Sequence, residues 1–585
     1  MPEYLAPGVY VEETSFRAKS IEGVGTSTTA FVGPTRKGPF RVDEDAQETP
    51  ELITSFGDFL RIHGGYADLS LSANASNTNY LAHAVLAFFN EGGARLYVSR
   101  VVSASAAAAS VAVTAAATPA AQAVSFVARF PGTAGNGAIR VVEVVAPGSL
   151  VTMGTAPDGT LLRTGPDAGP VHHVKVGGGW RPAGALGDPA ADAATLAGAT
   201  PRIVTLQVAA RDADGEEMVW DGMGYDANHP RWVGHVLAQV PTRRADHLQN
   251  AFAIAIGASV TAIGLHDALF TGATANAQGQ LERRFVLAGG LDGAEPSATE
   301  YALALGEIAA LEDVSIVAAP GCSAYSGAQA ISGALISHAE ARRAYRIAVL
   351  DTPPAQTPGQ VRTLRGLMDS TRAALYYPWV VVSNPNARPG RDDIPREIAL
   401  PPSGYVCGIY ARNDVQRGVY KAPANEVVRS ALRFEIDVNF GQQEVLNPLG
   451  VNCLRLLTGR GYRVWGARLI SSDPEWKYVS DRRYFNYLEA SIDRGTQWAV
   501  FEPNGERLWA NIRQTISDFL YNEWRSGALL GATVEEAFFV RCDRSTMTQN
   551  DLDNGRLICL IGVAIIKPAE FVIFRIGQKT ADARS

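Results

Sequence analysis

The stretch NYLAHAVLAFFNEGGARLYVSRVV at residues 79–102 decides the class of fold, because a helix in it passes directly into a strand. Its first half repeats apolar side chains at helical spacing, with Asn79 as the N-cap and Gly92 as the stop. Its second half, residues 95–102, is predicted to be a strand. A further strand is predicted at residues 29–32, so strand, helix and strand together form an α/β unit.

The same alternation of helix and apolar strand resumes after residue 285. Buried strands are predicted at residues 315–319, 347–350 and 379–383, with helices between them, as in a sheet that is covered on both faces. Between the two α/β parts the composition changes abruptly to Ala, Ser and Thr, and then to short strands separated by turns. Residues 103–284 are therefore predicted to be a separate inserted domain that is mostly β.

The last part of the chain is predicted to combine a long helix with strands. Apolar side chains at helical spacing, with Gly527 as the stop, predict an amphipathic helix at residues 506–525. Two apolar runs, at residues 557–566 and 570–576, are predicted to be strands.

The first residues of the chain also have the pattern of a strand. Val9 and Val11 point to one side, while Tyr10 and Glu12 point to the other. No hairpin partner follows, so the backbone groups of this strand need the edge of a sheet elsewhere. Isolated terminal strands most often fold back on their own domain, and the pattern by itself leaves open which sheet this one meets.

Composition and charge argue against several classes of protein. A formal net charge of −7 and a pI near 5.8 argue against a basic surface for nucleic acid or anionic membrane. The five cysteines are scattered without CxxC spacing, so neither a zinc ribbon nor a disulfide framework is indicated, and we expect reduced, buried thiols in a protein folded in the cytoplasm. We expect no secretory signal, and the most apolar window, residues 251–270, is too interrupted by polar residues for a membrane span.

Two loops partly match the patterns of nucleotide and ester chemistry. Residues 33–38 have the glycine spacing of a phosphate-binding loop, but Pro39 and Phe40 stand where the Lys and the Ser or Thr are needed. Residues 321–325 begin like a nucleophile elbow, but Tyr325 occupies a position that needs a small residue. A plain turn and a loop after a strand account better for these two segments.

Three acidic or histidine clusters are equally weak candidates. His172 and His173 are adjacent, so on a strand they point to opposite faces. Asp473 and Glu475, beside a proline and a tryptophan, are more typical of a turn than of an acid/base pair. Residues 551–555 resemble a calcium loop in composition only, and we predict a hairpin turn there. No catalytic, metal or cofactor site is predicted, and we do not expect an enzyme.

Several long phrases occur in order along the chain: PGVYVEE (7–13), GVGTSTTAFVGPTRKG (23–38), LAGGLDG (287–293), PPSGYVCGIYARNDVQRGVYKAPAN (401–425), NPLGVNCLR (447–455), VWGARLISSDPEWKYVSDRRYFNYLE (464–489) and PAEFV (568–572). Together they resemble the tail sheath family of contractile phage tails, pyocins and phage-tail-like contractile injection systems. The resemblance covers the two flanks, residues 1–102 and 285–580, and it is weak or absent across the insert.

With this resemblance, the fold class is predicted to be α/β (α+β) and multidomain. It has a discontinuous α/β core domain, an inserted mainly-β outer domain, and a C-terminal α/β inner domain with extended terminal arms. The predicted divisions are an N-terminal arm at 1–22, the core at 23–102 and 285–425, the outer domain at 103–284, the inner domain at 426–569 and a C-terminal strand and arm at 570–585.

The resemblance implies a structural subunit that polymerises as stacked hexameric rings around an inner tube and contracts to drive the tube through a target membrane. The implied partners are other copies of the chain, the inner tail tube protein, and baseplate and tail terminator proteins. No cofactor, no direct nucleic acid and no stable membrane insertion are implied. The implied location is a virion tail or phage-tail-like particle that is folded and assembled in the bacterial cytoplasm.

The resemblance also implies that both terminal arms add strands to neighbouring copies, and that the long helix approaches the tube. The residues expected at these contacts are Val9, Tyr10, Val11, Glu12 and Glu13 in the N-terminal arm, Phe571, Val572, Ile573, Phe574 and Arg575 in the C-terminal arm, and Arg507, Asn511 and Arg513 on the tube side.

Two functions of other classes stay open on the sequence alone. One is a hydrolase with residues 321–325 as its centre, which replacing Ser323 with alanine would test. The other is a surface-binding module for sugars or cell receptors, carried by residues 103–284. The sequence does not distinguish a phage from a DNA-free injection system, or an extended sheath from a contracted one.

Overall fold

The strands and helices of the chain follow its apolar patterns. The structure is a computed structural model that describes residues 20–41, 48–72, 77–115, 117–166, 169–185 and 187–576. The strands are β1 Thr29–Gly33, β2 Leu52–Ile53, β3 Leu96–Arg100, β4 Ser110–Ala112, β5 Val124–Ala128, β6 Ala138–Pro147, β7 Leu161–Thr164, β8 Val171–Val176, β9 Gly179–Pro182, β10 Arg202–Arg211, β11 Glu217–Met223, β12 Phe252–Ile256, β13 Thr274–Ala275, β14 Leu281–Val286, β15 Ile316–Ala318, β16 Ile347–Asp351, β17 Ala373–Tyr377, β18 Val380–Ser383, β19 Glu397–Leu400, β20 Glu426–Val427, β21 Arg433–Phe434, β22 Val451–Leu457, β23 Gly461–Val464, β24 Phe538–Arg541 and β25 Leu560–Val563. The helices are α1 Phe56–His63, α2 Tyr80–Glu91, α3 Leu150–Thr155, α4 Ala193–Ala197, α5 Val233–Val236, α6 Arg244–Gln249, α7 Ala262–Phe270, α8 Ala298–Ala309, α9 Ala328–Glu340, α10 Pro358–Arg365, α11 Ser403–Arg417, α12 Phe440–Leu446, α13 Val479–Gly495, α14 Glu506–Arg525, α15 Val534–Ala537 and α16 Gln549–Asp553.

A nine-stranded sheet forms the centre of the core domain, in the order β2-β3-β1-β15-β16-β17-β22-β23-β20. The strands from β3 to β22 in this order run parallel, and short antiparallel strands close both edges. Every residue of β1, β16 and β17 is buried, which explains why these strands are continuous apolar runs. The predicted α/β multidomain class is confirmed.

Helices cover both faces of the core sheet. One face packs against α2 and α11, and the other packs against α8, α9 and α10. The contact between α2 and α11 depends on two glycines one helical turn apart. A Cβ added at Gly404 would lie 2.7 Å from the Cα of Ala84, and one at Gly408 would lie 2.6 Å from the carbonyl oxygen of Phe88. Larger residues would therefore force the two helices apart.

Residues 110–286 build the inserted domain from two antiparallel sheets. An eight-stranded sheet has the order β13-β14-β6-β10-β7-β8-β9, with β11 also paired to β10, and a smaller sheet has the order β12-β5-β4. The apolar faces of both sheets share one core, to which α7 contributes. The last strand, β14, runs to Val286, so this sheet extends slightly beyond the predicted boundary at residue 284.

Five charged residues dock the insert on the core, and we call this group the charge clamp. Arg36 and Lys37 come from the loop after β1, while Asp212, Asp214 and Glu216 come from the turn between β10 and β11. Arg36 Nη2 lies 2.7 Å from Asp214 Oδ1. Lys37 Nζ lies 2.6 Å from Glu216 Oε2 and 3.3 Å from Asp212 Oδ2. The glycine-spaced loop at 33–38 therefore presents its cations to protein carboxylates.

The predicted division at residue 425 falls inside the core sheet. β20, β22 and β23 all follow this residue, and β22 pairs in parallel with β17. The core therefore continues to residue 464, because the sheet gains its last strands from this part of the chain. The inner domain consists of α13 to α16 with β24 and β25, and its largest helix, α14, has the predicted bounds.

Several local predictions differ from the structure. Residues 379–383 contribute β18 to a small sheet of order β19-β18-β21, and the core strand at this place is β17, which the sequence analysis did not predict. Residues 551–555 do not form a hairpin turn, because Asp551 makes a capping box with Thr548 that starts α16. The strand predicted at 557–566 is limited to β25. The strand predicted at 570–576 is absent from the described chain, because no described residue pairs with it.

Candidate subunit interface

The last described residues, 566–576, form an extended segment that leaves its apolar side chains in solvent, and we call it the C-terminal segment. Phe571, Val572, Ile573, Phe574 and Ile576 are 68% to 96% exposed. Full burial of one such side chain contributes about 1.5–3 kcal/mol. Residues 571–575, the predicted C-terminal contact, therefore have a sequence typical of a strand. No described residue covers their apolar side chains.

Glu570 ties the C-terminal segment to the core. Its Oε1 accepts hydrogen bonds from Arg468 Nε at 2.7 Å and Asn447 Nδ2 at 2.8 Å. Its Oε2 accepts from Arg468 Nη2 at 2.6 Å and the Tyr478 hydroxyl at 2.9 Å. Burial raises the pKa of Glu570, but these hydrogen bonds and the Arg468 charge outweigh burial and lower the pKa to about 2. The carboxylate is charged near neutral pH and fixes the point at which the segment leaves the core.

Beyond this anchor the segment stands away from the core. A groove of about 1230 Å³ lies between the two, lined by Tyr420, Phe440 and Trp465 of the core and by Phe571 and Val572 of the segment. Phe440 is 69% exposed even though it faces this groove. The segment is therefore held at its start and leaves an apolar surface uncovered beneath it.

The inner domain offers a sheet that can accept further strands. β24 and β25 pair with each other, from Phe538 opposite Val563 to Arg541 opposite Leu560, and form a two-stranded sheet. Phe539 and Leu560 are 44% and 51% exposed. A two-stranded sheet is marginally stable by itself, and its unpaired outer edges are templates for strand addition.

The N-terminal end of the described chain also lies against the inner domain. Ile21 belongs to the apolar core of that domain. The backbone N–H of Val24 donates to Ser491 Oγ on α13 at 3.1 Å. The predicted N-terminal contact residues Val9, Tyr10, Val11, Glu12 and Glu13 lie outside the described residues. The N-terminal end of the described chain therefore meets the inner domain, whereas the C-terminal segment is anchored to the core at Glu570.

The three residues predicted to face a tube lie on α14, but they are not equivalent. Arg507 and Asn511 are exposed on the outer side of the helix. Arg513 is also exposed, yet its Nη1 donates to the carbonyl oxygen of Cys542 at 3.3 Å. Arg507 and Asn511 are therefore available to a partner, while Arg513 also holds the end of β24 against the helix.

The segment at residues 321–325, the candidate centre of a hydrolase, places Ser323 and Cys322 in the interior of the core. Ser323 is 4% exposed, and no described residue exchanges a hydrogen bond with its hydroxyl group. A nucleophilic serine needs a base within hydrogen-bond reach and access for the substrate. Cys322, next to it, is buried as well, and burial raises its pKa far above the usual range of a thiol.

The acidic and histidine candidates have structural roles. His173 exchanges a hydrogen bond with Thr164 Oγ1, while the ring of His172 lies against that of His266, with the centroids 5.0 Å apart and the planes tilted by 46°. Asp473 Oδ1 accepts from the backbone N–H of Glu475 at 2.9 Å, as in a turn. Among the residues that the structure describes, no group of three or more His, Cys, Asp or Glu side chains could hold a metal ion.

Replacing Glu570 with glutamine should release the C-terminal segment. The variant loses the charge-assisted hydrogen bonds with Arg468, each of which contributes about 1.5–3 kcal/mol. We expect the detached fraction of the segment to rise about tenfold or more at neutral pH, measured as narrower methyl signals of Val572 and Ile573 in NMR spectra. The exposed Glu535→Gln is the matched control and should leave these signals unchanged.

The same anchor has a defined pH dependence. Because the pKa of Glu570 is lowered in the folded chain, its contribution is complete above the unfolded pKa of about 4.3 and is lost as pH falls towards about 2. The same methyl signals, recorded as the pH is lowered, should show this loss in the wild type and not in Glu570→Gln. Equal mobility of the segment in both proteins at neutral pH would contradict the anchor.

Sequence comparison identifies relatives along the second half of the chain. Family models match the phage tail sheath protein central domain at residues 294–468 and the phage tail sheath C-terminal domain at residues 471–579. A putative prophage major tail sheath protein of Pseudomonas aeruginosa (strain UCBPP-PA14) is 26% identical over 265 residues, which are 45% of this chain and 64% of that protein. The tail sheath protein of Enterobacteria phage T4 is 24% identical over 185 residues, 31% of this chain. The chain spans 64% and 26% of the lengths of these two relatives.

Solved structures share the fold along nearly the whole chain. The sheath complex of the extracellular contractile injection system PVC, in its contracted state, covers 99% of both chains with a TM-score of 0.53 and 19% identity. The helical sheath of the anti-feeding prophage in its contracted state covers 99% of this chain and 100% of that one, with a TM-score of 0.52 and 20% identity.

The fold is that of the structural subunits that make the sheaths of contractile tails and injection systems. The two matched domains place the second half of the chain, residues 294–579, in the phage tail sheath family. Within the described ranges, no helix has the length and apolar character needed to cross a bilayer.

Proposed function

We propose that this chain polymerises as stacked hexameric rings around an inner tube, and that the resulting sheath contracts to drive the tube through a target membrane. One observation carries the proposal: the C-terminal segment is anchored at Glu570 while its apolar residues beyond that point are exposed. Membership of the sheath family supports it. The subunit acts by assembly and movement, not by catalysis.

The terminal arms connect the subunits by strand exchange. Residues 571–575 and 9–13 add to the open edges of β24 and β25 in neighbouring copies, where each main-chain hydrogen bond contributes about 1 kcal/mol. The donating segment and the accepting sheet are different surfaces of one subunit. Such head-to-tail contacts generate open helical assemblies instead of closed dimers.

Contraction moves rigid domains on extended connections. The core sheet is packed on both faces, so it resists deformation, while the segments at both ends can change their dihedral angles. The outer face of α14, with Arg507 and Asn511, lies towards the inner tube. Further partners are the baseplate and the tail terminator, and the particle is a phage tail or an injection device assembled in the bacterial cytoplasm.

Assembly around a tube tests this function directly. We expect the purified chain, mixed with inner tube protein from the same particle, to coat the tubes in negative-stain micrographs. The substitution Arg507→Glu reverses one charge on α14. This variant should still polymerise but should no longer coat tubes. Arg396→Glu, an exposed arginine in the core domain, should coat tubes like the wild type.

The outcomes separate the parts of the proposal. A wild-type chain that remains monomeric and never coats a tube contradicts the sheath function. Tubes coated equally well by Arg507→Glu contradict only the orientation of α14.

A further inference from the structure

Two cysteines extend the strand pair of the inner domain by one step. Arg541 of β24 stands opposite Leu560 of β25, so the next residues outward, Cys542 and Cys559, stand opposite each other. Both are free thiols; Cys542 is fully buried and Cys559 is half-buried. Sixteen residues separate them in the sequence and they form no short cysteine motif, so it is the register of the two strands that brings them together.

The register also fixes which kind of cross-strand pair they form. The backbone N–H of Ala564 donates to the carbonyl oxygen of Ala537, which makes this a hydrogen-bonded position, and the two kinds of position alternate along the strands. Counting outward, Cys542 and Cys559 occupy a non-hydrogen-bonded position. There the Cα atoms are about 4.5 Å apart and the side chains are closest, within the range that a disulfide spans.

The surroundings of the two thiols agree with direct contact. Burial is the main cause that raises the pKa of Cys559, to about 12, and the neighbouring Cys542 thiol raises it further. Burial also raises the pKa of Cys542, while the Cys559 thiol and the Arg513 charge act in the opposite direction. Both thiols are therefore protonated and slow to react in the reducing cytoplasm.

We propose that Cys542 and Cys559 are a latent disulfide that forms when the folded chain meets a disulfide oxidant outside the cytoplasm. The half-buried Cys559 loses its proton, and its thiolate attacks one sulfur of the oxidant, releasing one thiolate. Cys542 then loses its proton and attacks the sulfur of Cys559 in this mixed disulfide, releasing the second thiolate. The two cysteines lose two electrons in total, and one molecule of oxidant is reduced to two thiols.

The bond closes a loop that contains α16 and fixes the outer end of the β24–β25 pair. The pairing of the cysteines follows from the register alone and does not require a sheath. Its consequence for assembly rests on the proposed function: a fixed sheet would hold the added strands of neighbouring copies after the particle leaves the cell.

Peptide mapping of the native full-length chain tests the proposal. The chain is incubated with oxidised glutathione under mildly alkaline conditions, blocked with an alkylating agent, unfolded and digested with trypsin. We expect residues 542–544 to be recovered linked to residues 557–575, because the Lys567–Pro568 bond resists trypsin. The linked product should form about tenfold faster when the pH is raised by one unit, because the thiolate fraction rises by that factor. Cys322, Cys407 and Cys453, all buried, are internal controls that stay reduced.

Two single variants make the outcome decisive. Cys542→Ser should stop the reaction at the mixed disulfide of Cys559 with glutathione, and Cys559→Ser should leave the buried Cys542 unmodified. Native wild-type chain that yields only separately alkylated peptides, or that accumulates glutathione on Cys559 without the link, overturns the proposal. Neither the linked peptide nor the glutathione adduct depends on polymerisation. Failure of the disulfide proposal can therefore be told apart from failure of the proposed sheath function.

Discussion

A chain that ends at Glu570 should fold normally and form no sheath of any length. This truncation keeps the anchor carboxylate with Arg468 but removes the exposed residues 571–576. It removes both the main-chain hydrogen bonds and the apolar side chains that a neighbouring copy would bury, the latter contributing about 1.5–3 kcal/mol each. Contacts of this size recur at every subunit of a polymer, so their loss should abolish assembly rather than weaken it.

The N-terminal arm should have the same importance. Deleting residues 1–14 removes the alternating run at Val9 to Glu12 and should leave a folded monomer that cannot form long sheaths. Both deletions are scored by negative-stain microscopy, with circular dichroism and thermal melting as the test of folding.

Each deletion has a matched control of similar kind. A chain that ends at Ile576 keeps the C-terminal segment, and a chain that lacks only residues 1–6 keeps the N-terminal run. Both controls should polymerise. Normal sheaths from the chain that ends at Glu570, or from the chain without residues 1–14, would contradict strand exchange by that arm.

Replacing Asp414 with alanine should cause a large loss of stability. Its Oδ1 and Oδ2 accept from Arg483 Nη1 at 2.8 Å and Nη2 at 2.6 Å, and both side chains are 3% exposed. Arg483 also donates to the carbonyl oxygen of Thr26, so this pair joins α11, α13 and the N-terminal end of the described chain. Removing one partner of a buried pair costs about 3–5 kcal/mol, because the other charge stays buried.

An exposed ion pair in the same chain provides the control. Arg391 and Asp393 make a bidentate contact of similar length, but their side chains are about 60% exposed. Such pairs contribute about 0–1 kcal/mol, so Asp393→Ala should melt like the wild type. Asp414→Ala should lower the melting temperature of the core by on the order of 10 °C. Equal melting of the two variants would show that the buried pair does not hold the domains together.

A substitution of the second partner, Arg483, separates the cost of an unpaired buried charge from the loss of the ion pair itself. Adding Arg483→Met to Asp414→Ala removes the unpaired charge and replaces it with an apolar side chain. The double variant should therefore recover part of the lost stability. A double variant less stable than Asp414→Ala would mean that Arg483 stabilises the fold through its stacking on Tyr410, at 4.7 Å, rather than through the ion pair.

The sequence predicted best the elements whose signals are local. Asn79 caps α2 by accepting from the backbone N–H of Ala82, and Gly92 ends it with a positive φ, as their sequence positions indicated. The helix α14 has its predicted bounds because its apolar side chains recur without interruption and Gly527 follows it. Family membership was also visible, because long phrases in fixed order do not depend on knowledge of the fold.

Features that depend on pairing between distant residues could not be predicted. β17 was missed because its short apolar run directly precedes β18 and nothing local separates two strands that join different sheets. Glu570 and Arg468 both lie in phrases that carry the resemblance, yet nothing local indicates that they meet. The run at 570–576 has the pattern of a strand, but strand structure also needs a neighbour, and none of the described residues supplies one.

The charge clamp limits how the outer part of this protein can be exchanged in engineered particles. A foreign domain grafted in place of residues 103–284 would remove Asp212, Asp214 and Glu216. Lys37 would then be enclosed without its two carboxylate partners, and Arg36 would keep only Asp292, whose Oδ2 lies 3.7 Å from Arg36 Nη1. A chimera therefore has to bring an acidic turn to this position or replace both cations with uncharged side chains. The exchangeable cassette is larger than the domain, because it includes two residues of the loop on which the domain rests.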